Sequence, residues 1–391
     1  MITATFPPDA CGVGDYTFQL CQALQRLGVQ VDVVTSRRPG PPAPPPGSII
    51  SSVRRITGRW NARSLIPLLR QIRSGGYRCV HIQYSPNFYG LLSFAIHLLP
   101  WVLMGFGGRT VVTFHEIYAP KLGGFANRFF AVYDHIKDTV LLLGSAAAIL
   151  TVPSRVDRLG RRFSRLRSRL YAIPVGTGVR VEEDAPDART TARADFGVQP
   201  EEWLIGSFGS MHVDRRYDTL FRVVRRLLDR GCRLRVVLIG AYDAKHPYYR
   251  YLKKCIADLD LEPYIIWTGF GPEAQVSRWL GMLDLYVMTD LRGASGRKSS
   301  LITALAHGLP VISTRGTDTT PEFVDGENIL LVDPDDEDAF FRHIDRLLSD
   351  PSERNRMRTG ARRLFVAHYA WESIAQQTLE VYHTHGSGAE R

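Results

Sequence analysis

The strongest concentration of chemistry in this chain is Gly293-Ala294-Ser295-Gly296-Arg297-Lys298-Ser299-Ser300, four small residues followed by two cations and a serine pair. Leu301 and Leu305 follow at helical spacing and Gly308 stops the pattern, so the segment sits at a helix N-terminus. Unpaired N–H groups and the helix dipole favour an anion there, and Arg297 or Lys298 can add charge-assisted hydrogen bonds. A diphosphate suits such a place. The segment is not a P-loop, because arginine stands where glycine must precede the lysine. Its plainer reading is a flexible loop with Ser299 as the N-cap.

Three further places carry functional residue types. Gly12-Val13-Gly14 lies between a first strand and a helix, where glycines let a phosphate approach backbone N–H groups. As a dinucleotide fingerprint it is incomplete, with Thr17 in the third glycine position and Thr35-Ser36-Arg37-Arg38, not an acid, ending the next strand. The arginine pair keeps an NADP-dependent oxidoreductase open. Gly209-Ser210-Met211-His212-Val213-Asp214-Arg215-Arg216 is a second turn of this kind, from which Arg215 or Arg216 can reach a ligand. His115 ends the run Thr110-Val111-Val112-Thr113-Phe114, at the carboxyl edge of a strand where open α/β sheets bind ligands. A histidine satisfied by neighbouring backbone is the alternative, and Glu116 beside it can be simply solvated. The acids of Asp333-Pro334-Asp335-Asp336-Glu337-Asp338 are read as helix-capping, not metal-binding.

The elements that position these residues alternate short β-branched runs with helical patterns, the signature of parallel sheets covered by helices. Strands are expected at Ile2 to Phe6, Val29 to Thr35, Cys79 to Gln83, Thr110 to Phe114, Ala148 to Val152 and Leu170 to Ile173. After a polar linker from about Arg180 to Glu202 the alternation restarts at Leu204, with strands at Leu234 to Ile239, Tyr264 to Thr268, Leu285 to Met288 and Pro310 to Thr314. Helices close the chain around Asp338 to Leu348, Pro351 to Phe365 and Trp371 to Tyr382. Two domains also suit 391 residues. The proline-rich stretch from Pro39 to Gly47 reads as an extended surface loop.

The net charge of +10 allows nucleic acid, an anionic membrane or a phosphorylated substrate. No RNP-like or zinc-finger spacing is present and the arginines are scattered, so nucleic acid is not expected. Five cysteines, none in a C-x-x-C pair, argue against a disulfide framework or zinc site and fit a reducing cytoplasm. The longest apolar stretch, Leu91 to Phe106, is interrupted by His97 and Pro100 and is not read as a span. It is either a helix buried in the first domain or a peripheral contact with the inner face of the membrane.

Taken in order, these motifs resemble family 4 of the retaining GT-B glycosyltransferases over nearly the whole chain. The resemblance rests on Gly12-Val13-Gly14-Asp15-Tyr16-Thr17, Gln83-Tyr84-Ser85-Pro86, Thr113-Phe114-His115 and Ile173-Pro174-Val175-Gly176. In the second half it rests on Trp267-Thr268-Gly269, Leu305-Ala306-His307-Gly308-Leu309-Pro310-Val311, Pro321-Glu322-Phe323-Val324 and Tyr369-Ala370-Trp371-Glu372. It implies two Rossmann-like α/β domains facing across a cleft: residues 1–178 for the acceptor, 179–368 for a nucleotide-sugar donor, and 369–391 as a helix packing back on the first domain. The implied reaction transfers a sugar to an acceptor hydroxyl with retention, without metal or other cofactor; a carbohydrate, lipid-linked or small-molecule acceptor is open. His115 is the catalytic candidate. Gly12, Val13, Gly14, Ser210, Arg215, Ser295, Gly296, Arg297, Lys298, Ser299, Ser300 and Thr303 are donor-side candidates, and Asp15, Tyr84 and Glu116 acceptor-side ones.

Two departures stand out. The family's Glu-x7-Glu positions, counted back from Gly308, hold Ser295 and Thr303, and its basic pair falls on Ser210 and Arg215. Arg297 and Lys298 are therefore expected to restore the missing positive charge. A nucleotide-sugar epimerase, or a relative that binds sugar or nucleotide without transfer, is the alternative.

Overall fold

The computed structural model describes residues 1–9, 11–37, 49–50, 52–86, 88–90, 93–118, 125–181 and 188–386, with backbone alone at 125–129 and 188. The expected proline-rich loop, and the start of the apolar stretch at Leu91, lie outside them. The chain divides into unit 1, Met1–Val175 with Trp371–Arg391, and unit 2, Gly176–Ala370.

Unit 1 contains β1 (Asp32–Ser36), β2 (Ser52–Thr57), β3 (Val80–Tyr84), β4 (Thr110–Phe114), β5 (Ala147–Leu150) and β6 (Leu170–Ala172). All pairings are parallel, β1 with β2 and β3-β4-β5-β6 in order. The strand expected at Ile2 to Phe6 is shorter than its sequence suggests: only Ile2 bridges, to Val34 on one side and Ile82 on the other. It nevertheless joins the two ladders, since the amide of Thr3 reaches the Val34 carbonyl and that of Gln83 the Ile2 carbonyl. Pairing stops because the Thr3 hydroxyl takes the carbonyl of Thr5 and Pro7-Pro8 bring no N–H.

Both faces of this sheet are covered, which explains why β3 and β4 are buried at every position, the polar His81, Gln83, Thr110 and Thr113 included. Helices α1 (Gly12–Arg26) and α13 (Trp371–His385) pack with Val33, Val111 and Ile149 on one face. The Tyr382 hydroxyl of α13 meets His81 Nδ1 at 2.5 Å. Helices α2 (Ala62–Ser74), α3 (Ala95–Gly105), α4 (Phe125–Gly144) and α5 (Pro153–Arg162) cover the other face, with Ile82, Val112 and Leu150 in that core. Each fully buried Leu or Ile contributes about 1.5–3 kcal/mol relative to exposure.

Unit 2 contains β7 (Trp203–Phe208), β8 (Leu234–Ile239), β9 (Ile265–Gly269), β10 (Leu285–Met288), β11 (Val311–Thr314) and β12 (Leu330–Val332). Their order is β12-β11-β10-β7-β8-β9, with every pair parallel. The chain winds outward from β7 to β9, then returns to lay β10 against the other side of β7. That reversal opens a crevice at the carboxyl ends of β7 and β10. Helices α7 (Tyr217–Asp229), α8 (Pro247–Asp258) and α11 (Glu337–Ser349) cover one face. Helices α6 (Ala188–Asp195), α9 (Glu273–Gly281), α10 (Ser299–Ala306) and α12 (Pro351–Leu364) cover the other. Asp336 caps α11 by accepting from the Ala339 amide at 2.8 Å, while Glu337 and Asp338 pair with Arg222 and Arg226 of α7.

Candidate functional site

The crevice of unit 2 is a cavity of about 550 Å³, lined by the loops after β7 and β10 and the start of α10. That volume is typical of a small-ligand site. Cavities of about 700 Å³ and 660 Å³ lie elsewhere in the unit, one beside α12 and one at the amino ends of β7 and β10 around Arg189 and Asp284. Neither is at the carboxyl edge, where parallel sheets present their loops to ligands.

Arg215 leads the site. It arrives on the turn after β7 and is half-buried, its Nη1 donating to the Phe208 carbonyl at 2.6 Å and its Nη2 to the Ser300 hydroxyl at 2.8 Å. Burial works to discharge it, but Tyr217, Tyr286 and Asp290 hold the guanidinium charged, its pKa above the usual arginine value. Gly209 makes room: its φ is +124°, and a Cβ there would come within 2.8 Å of Arg215 Nη2. Any other residue at 209 would meet both strain and collision.

Helix α10 opens at Ser299 with Lys298 in the capping position and no side-chain cap, so Ser299 is its first residue and not its N-cap. Lys298 Nζ lies 2.5 Å from Asp290 Oδ1. Burial lowers the lysine pKa while Asp290 opposes that shift. Arg297 Nη1 is 3.9 Å from Asp318 Oδ2, and Arg292 Nε 3.6 Å from Asp214 Oδ2. The crevice thus holds four cations balanced by three carboxylates. Asp290 and Asp318 were absent from the sequence expectations; for Asp290 the available signal was its place just beyond a strand, the rule that singled out His115.

Lys298 and Asp290 give a test. Lys298→Met leaves a mostly buried carboxylate at the anion site and should weaken nucleoside diphosphate binding about 10- to 100-fold. Asp290→Asn should strengthen it, and the double variant should return close to wild type. Calorimetric titration of the four proteins closes the cycle; unchanged binding in both single variants would mean the pair does not face the ligand.

Several expected residues are placed otherwise. Thr303 is fully buried, donating to the Ser299 carbonyl and sharing a hydrogen bond of 2.7 Å with the Thr177 hydroxyl. Ser295 and Gly296 are also buried; a Cβ on Gly296 would come within 3.0 Å of the Tyr369 hydroxyl. Ser210 is exposed at the rim. The crevice therefore gathers Ser210, Arg215, Arg297, Lys298, Ser299 and Ser300, while Ser295, Gly296 and Thr303 are buried and do not line it.

In unit 1, Gly12, Val13 and Gly14 are not a turn before α1 but its first turn, with Cys11 as a cap that supplies no side-chain bond. Gly14 is needed for packing, since a Cβ would lie 3.2 Å from the Thr5 carbonyl oxygen. Asp15 is exposed in the same turn. Tyr84 is a core residue: it is 1% exposed and its hydroxyl donates to Asp138 Oδ1 at 2.6 Å, which removes it from the acceptor-side candidates. The other oxygen of Asp138 accepts from the Tyr118 amide at 2.7 Å, holding the segment after β4 that begins with His115 and Glu116. The His115 ring meets Gln83 Oε1 through Nε2 at 2.9 Å and sets its plane edge-on to Tyr16, centroids 4.7 Å apart. Burial lowers its pKa to about 4. Glu116 is half-buried beside it.

Two doubly wound parallel units, the second with a cationic crevice at its switch point, define the GT-B class of nucleotide-sugar transferases. Residues 10–178 match Glycosyltransferase Family 4 and residues 202–350 match Glycosyl transferases group 1. The chain belongs to this glycosyltransferase family. It is 24% identical over 390 residues to D-inositol 3-phosphate glycosyltransferase of Frankia alni, covering 96% of this chain and 94% of that one. It is also 24% identical over 247 residues to the GDP-mannose-dependent alpha-(1-6)-phosphatidylinositol monomannoside mannosyltransferase of Mycolicibacterium smegmatis, with 61% and 63% covered. Sucrose-phosphate synthase of Thermosynechococcus elongatus shares the fold at a TM-score of 0.72 and 19% identity, over 98% of this chain and 97% of that one. Anabaena HepE in complex with UDP and glucose does so at 0.71 and 14%, over 98% and 99%.

Proposed function

We propose that the protein transfers a sugar from a nucleoside diphosphate sugar to an acceptor hydroxyl with retention and without a metal ion. The observation that carries this reading is the half-buried Arg215 beside the uncapped start of α10, at the carboxyl ends of β7 and β10. In the proposed step the bond from the anomeric carbon to the diphosphate oxygen breaks. The acceptor oxygen bonds that carbon on the same face, and the acceptor proton passes to the departing phosphate. Negative charge grows on the leaving group, so fixed cations and amide dipoles there lower the barrier. Arg215, Arg297, Lys298 and the amides of Ser299 and Ser300 take that role. Ser210 lies at the rim, and His115, with Gly12, Val13 and Gly14, is the contribution assigned to unit 1.

The donor base and sugar are left open by this reading. GDP-mannose is named for the Mycolicibacterium relative and UDP with glucose for the Anabaena neighbour. With Ser295 and Thr303 in place of carboxylates, the grip on ribose differs from the family pattern. A lipid-linked acceptor at the inner face of a membrane is the acceptor class we favour, because inositol-lipid chemistry is named for the Mycolicibacterium relative.

The test is a thermal-shift panel of nucleoside diphosphates, followed by donor hydrolysis with and without chelator. One diphosphate should raise the melting temperature and its sugar should be turned over in the presence of chelator. Activity lost to chelator and restored by manganese would overturn the metal-free step. Binding without turnover of any donor would make the chain a non-transferring relative, and stabilisation by NADP alone would end the transferase reading.

A further inference from the structure

Helix α12 carries five arginines, and four of them have a structural partner. Arg354 donates to the Leu347 and Leu348 carbonyls, and Arg356 pairs with Glu353 at 2.8 Å. Arg362 donates to the Ala306 carbonyl at the end of α10, and Arg363 pairs with Glu327 at 2.8 Å. Arg358 is the exception. It is half-buried, and its Nε, shut off from water, meets no acceptor among the described residues. A buried donor of a charged group is ordinarily satisfied, because leaving it unpaired is costly.

The charge of Arg358 is not answered either. It stands near Arg189 of α6, whose pKa is lowered first by burial and then by the Arg193 and Arg358 charges. Asp284 opposes that shift, but its two oxygens are already taken by Arg189 at 2.5 Å and Arg193 at 3.0 Å. Arg358 lines the cavity of about 700 Å³ beside α12, together with Arg362 and Arg363, and no carboxylate lines it among the described residues. Arg358 and Arg362 are four residues apart, so they are like charges on one helix face and repel. Glu327 balances Arg363 alone. Gly308 and the turn Phe365–Tyr369 supply the remaining wall, where Val366 is 56% exposed.

We propose that this cavity is a second anion site of unit 2, in which Arg358 and Arg362 take the phosphate of a phosphate monoester and Val366 packs on its apolar body. A phosphate brings close to two negative charges and accepts paired bonds from a guanidinium, whereas a carboxylate brings one charge. Ser299 and Ser300 begin α10 in the crevice and Ala306 ends it here, about 12 Å further along the helix. Both sites can therefore be filled at once. The inference stands whether or not the crevice transfers sugar.

The test is calorimetric titration of phenyl phosphate and of benzoate into the full chain at low salt, with wild type, Arg215→Ala, Arg358→Gln and Arg358→Lys. Phenyl phosphate binding should survive Arg215→Ala, which impairs the crevice, and fall about 10-fold or more in Arg358→Gln. It should fall less in Arg358→Lys, which keeps the charge without the planar fork and carries the test if the glutamine variant does not fold. Benzoate should bind wild type about 10-fold or more weakly than phenyl phosphate. Loss of all phenyl phosphate binding in Arg215→Ala, full affinity in both Arg358 variants, equal affinity for benzoate, or no binding at all would each overturn the inference.

Discussion

Arg215→Ala is expected to weaken nucleoside diphosphate binding about 100-fold and to reduce donor turnover as much, with the fold retained. The guanidinium is already fixed by the Phe208 carbonyl and the Ser300 hydroxyl, so little freedom is lost when a phosphate binds. Each charge-assisted hydrogen bond contributes about 1.5–3 kcal/mol, which is about 10- to 150-fold in affinity. Alanine removes the charge and both internal bonds, but Ser300 keeps its helix and the Phe208 carbonyl can take water. Arg215→Lys keeps the charge and loses the planar fork, so it should fall between the two, about 10-fold below wild type. Calorimetry with paired mono- and diphosphates of one nucleoside distinguishes the cause. A larger loss for the diphosphate places Arg215 on the second phosphate; equal losses would move it to the nucleoside or the general fold.

His115→Ala should lose about 100-fold in transfer while keeping its melting temperature within a few degrees. The ring stands at the carboxyl edge of β4, and its removal forfeits an edge contact with Tyr16 of about 1 kcal/mol without emptying the core. Gln83 Oε1 accepts at Nε2, so the proton sits there and Nδ1 is left as an acceptor for a hydroxyl. Losing one well-placed hydrogen bond in a transition state costs about 100- to 1,000-fold. Because burial brings the imidazole to about 4, it is neutral from pH 6 to 8 and turnover should not change with its titration there. The folded pKa is below the unfolded value of about 6.5, so the stability tied to the neutral ring is present above that value. It is lost as the pH falls through about 4. Unchanged turnover in His115→Ala, or a wild-type activity loss centred at about 6.5 that the variant lacks, would remove this role.

Periodicity revealed most of the unit architecture because the inner strands are buried on both faces and so are rich in apolar residues. Strands β4, β8 and β10 have the bounds their sequences suggest. Strand β2, Ser-Val-Arg-Arg-Ile-Thr, escaped because an edge strand half open to water needs no apolar run. Strand β12 escaped because three residues are too few to show a period. The start of α1 differs from its sequence expectation because glycine favours turns locally, whereas Gly14 lets the helix pack against Thr5.

The sequence by itself determined the alternation of strand and helix, the helix start that gathers Ser299 and Ser300 with Arg297 and Lys298, and the place of His115 at a strand end. These are local properties, set by spacing along one segment. Only the tertiary structure decided which charges oppose one another and which side chains face a ligand. Lys298 meets Asp290 at 2.5 Å, Thr303 turns inward to Thr177, and Tyr84 gives its hydroxyl to Asp138. Thr177 and Thr303 are 126 residues apart in the chain, and Tyr84 and Asp138 are 54 apart, so no local pattern carries such contacts; the packing of helices on a parallel sheet creates them.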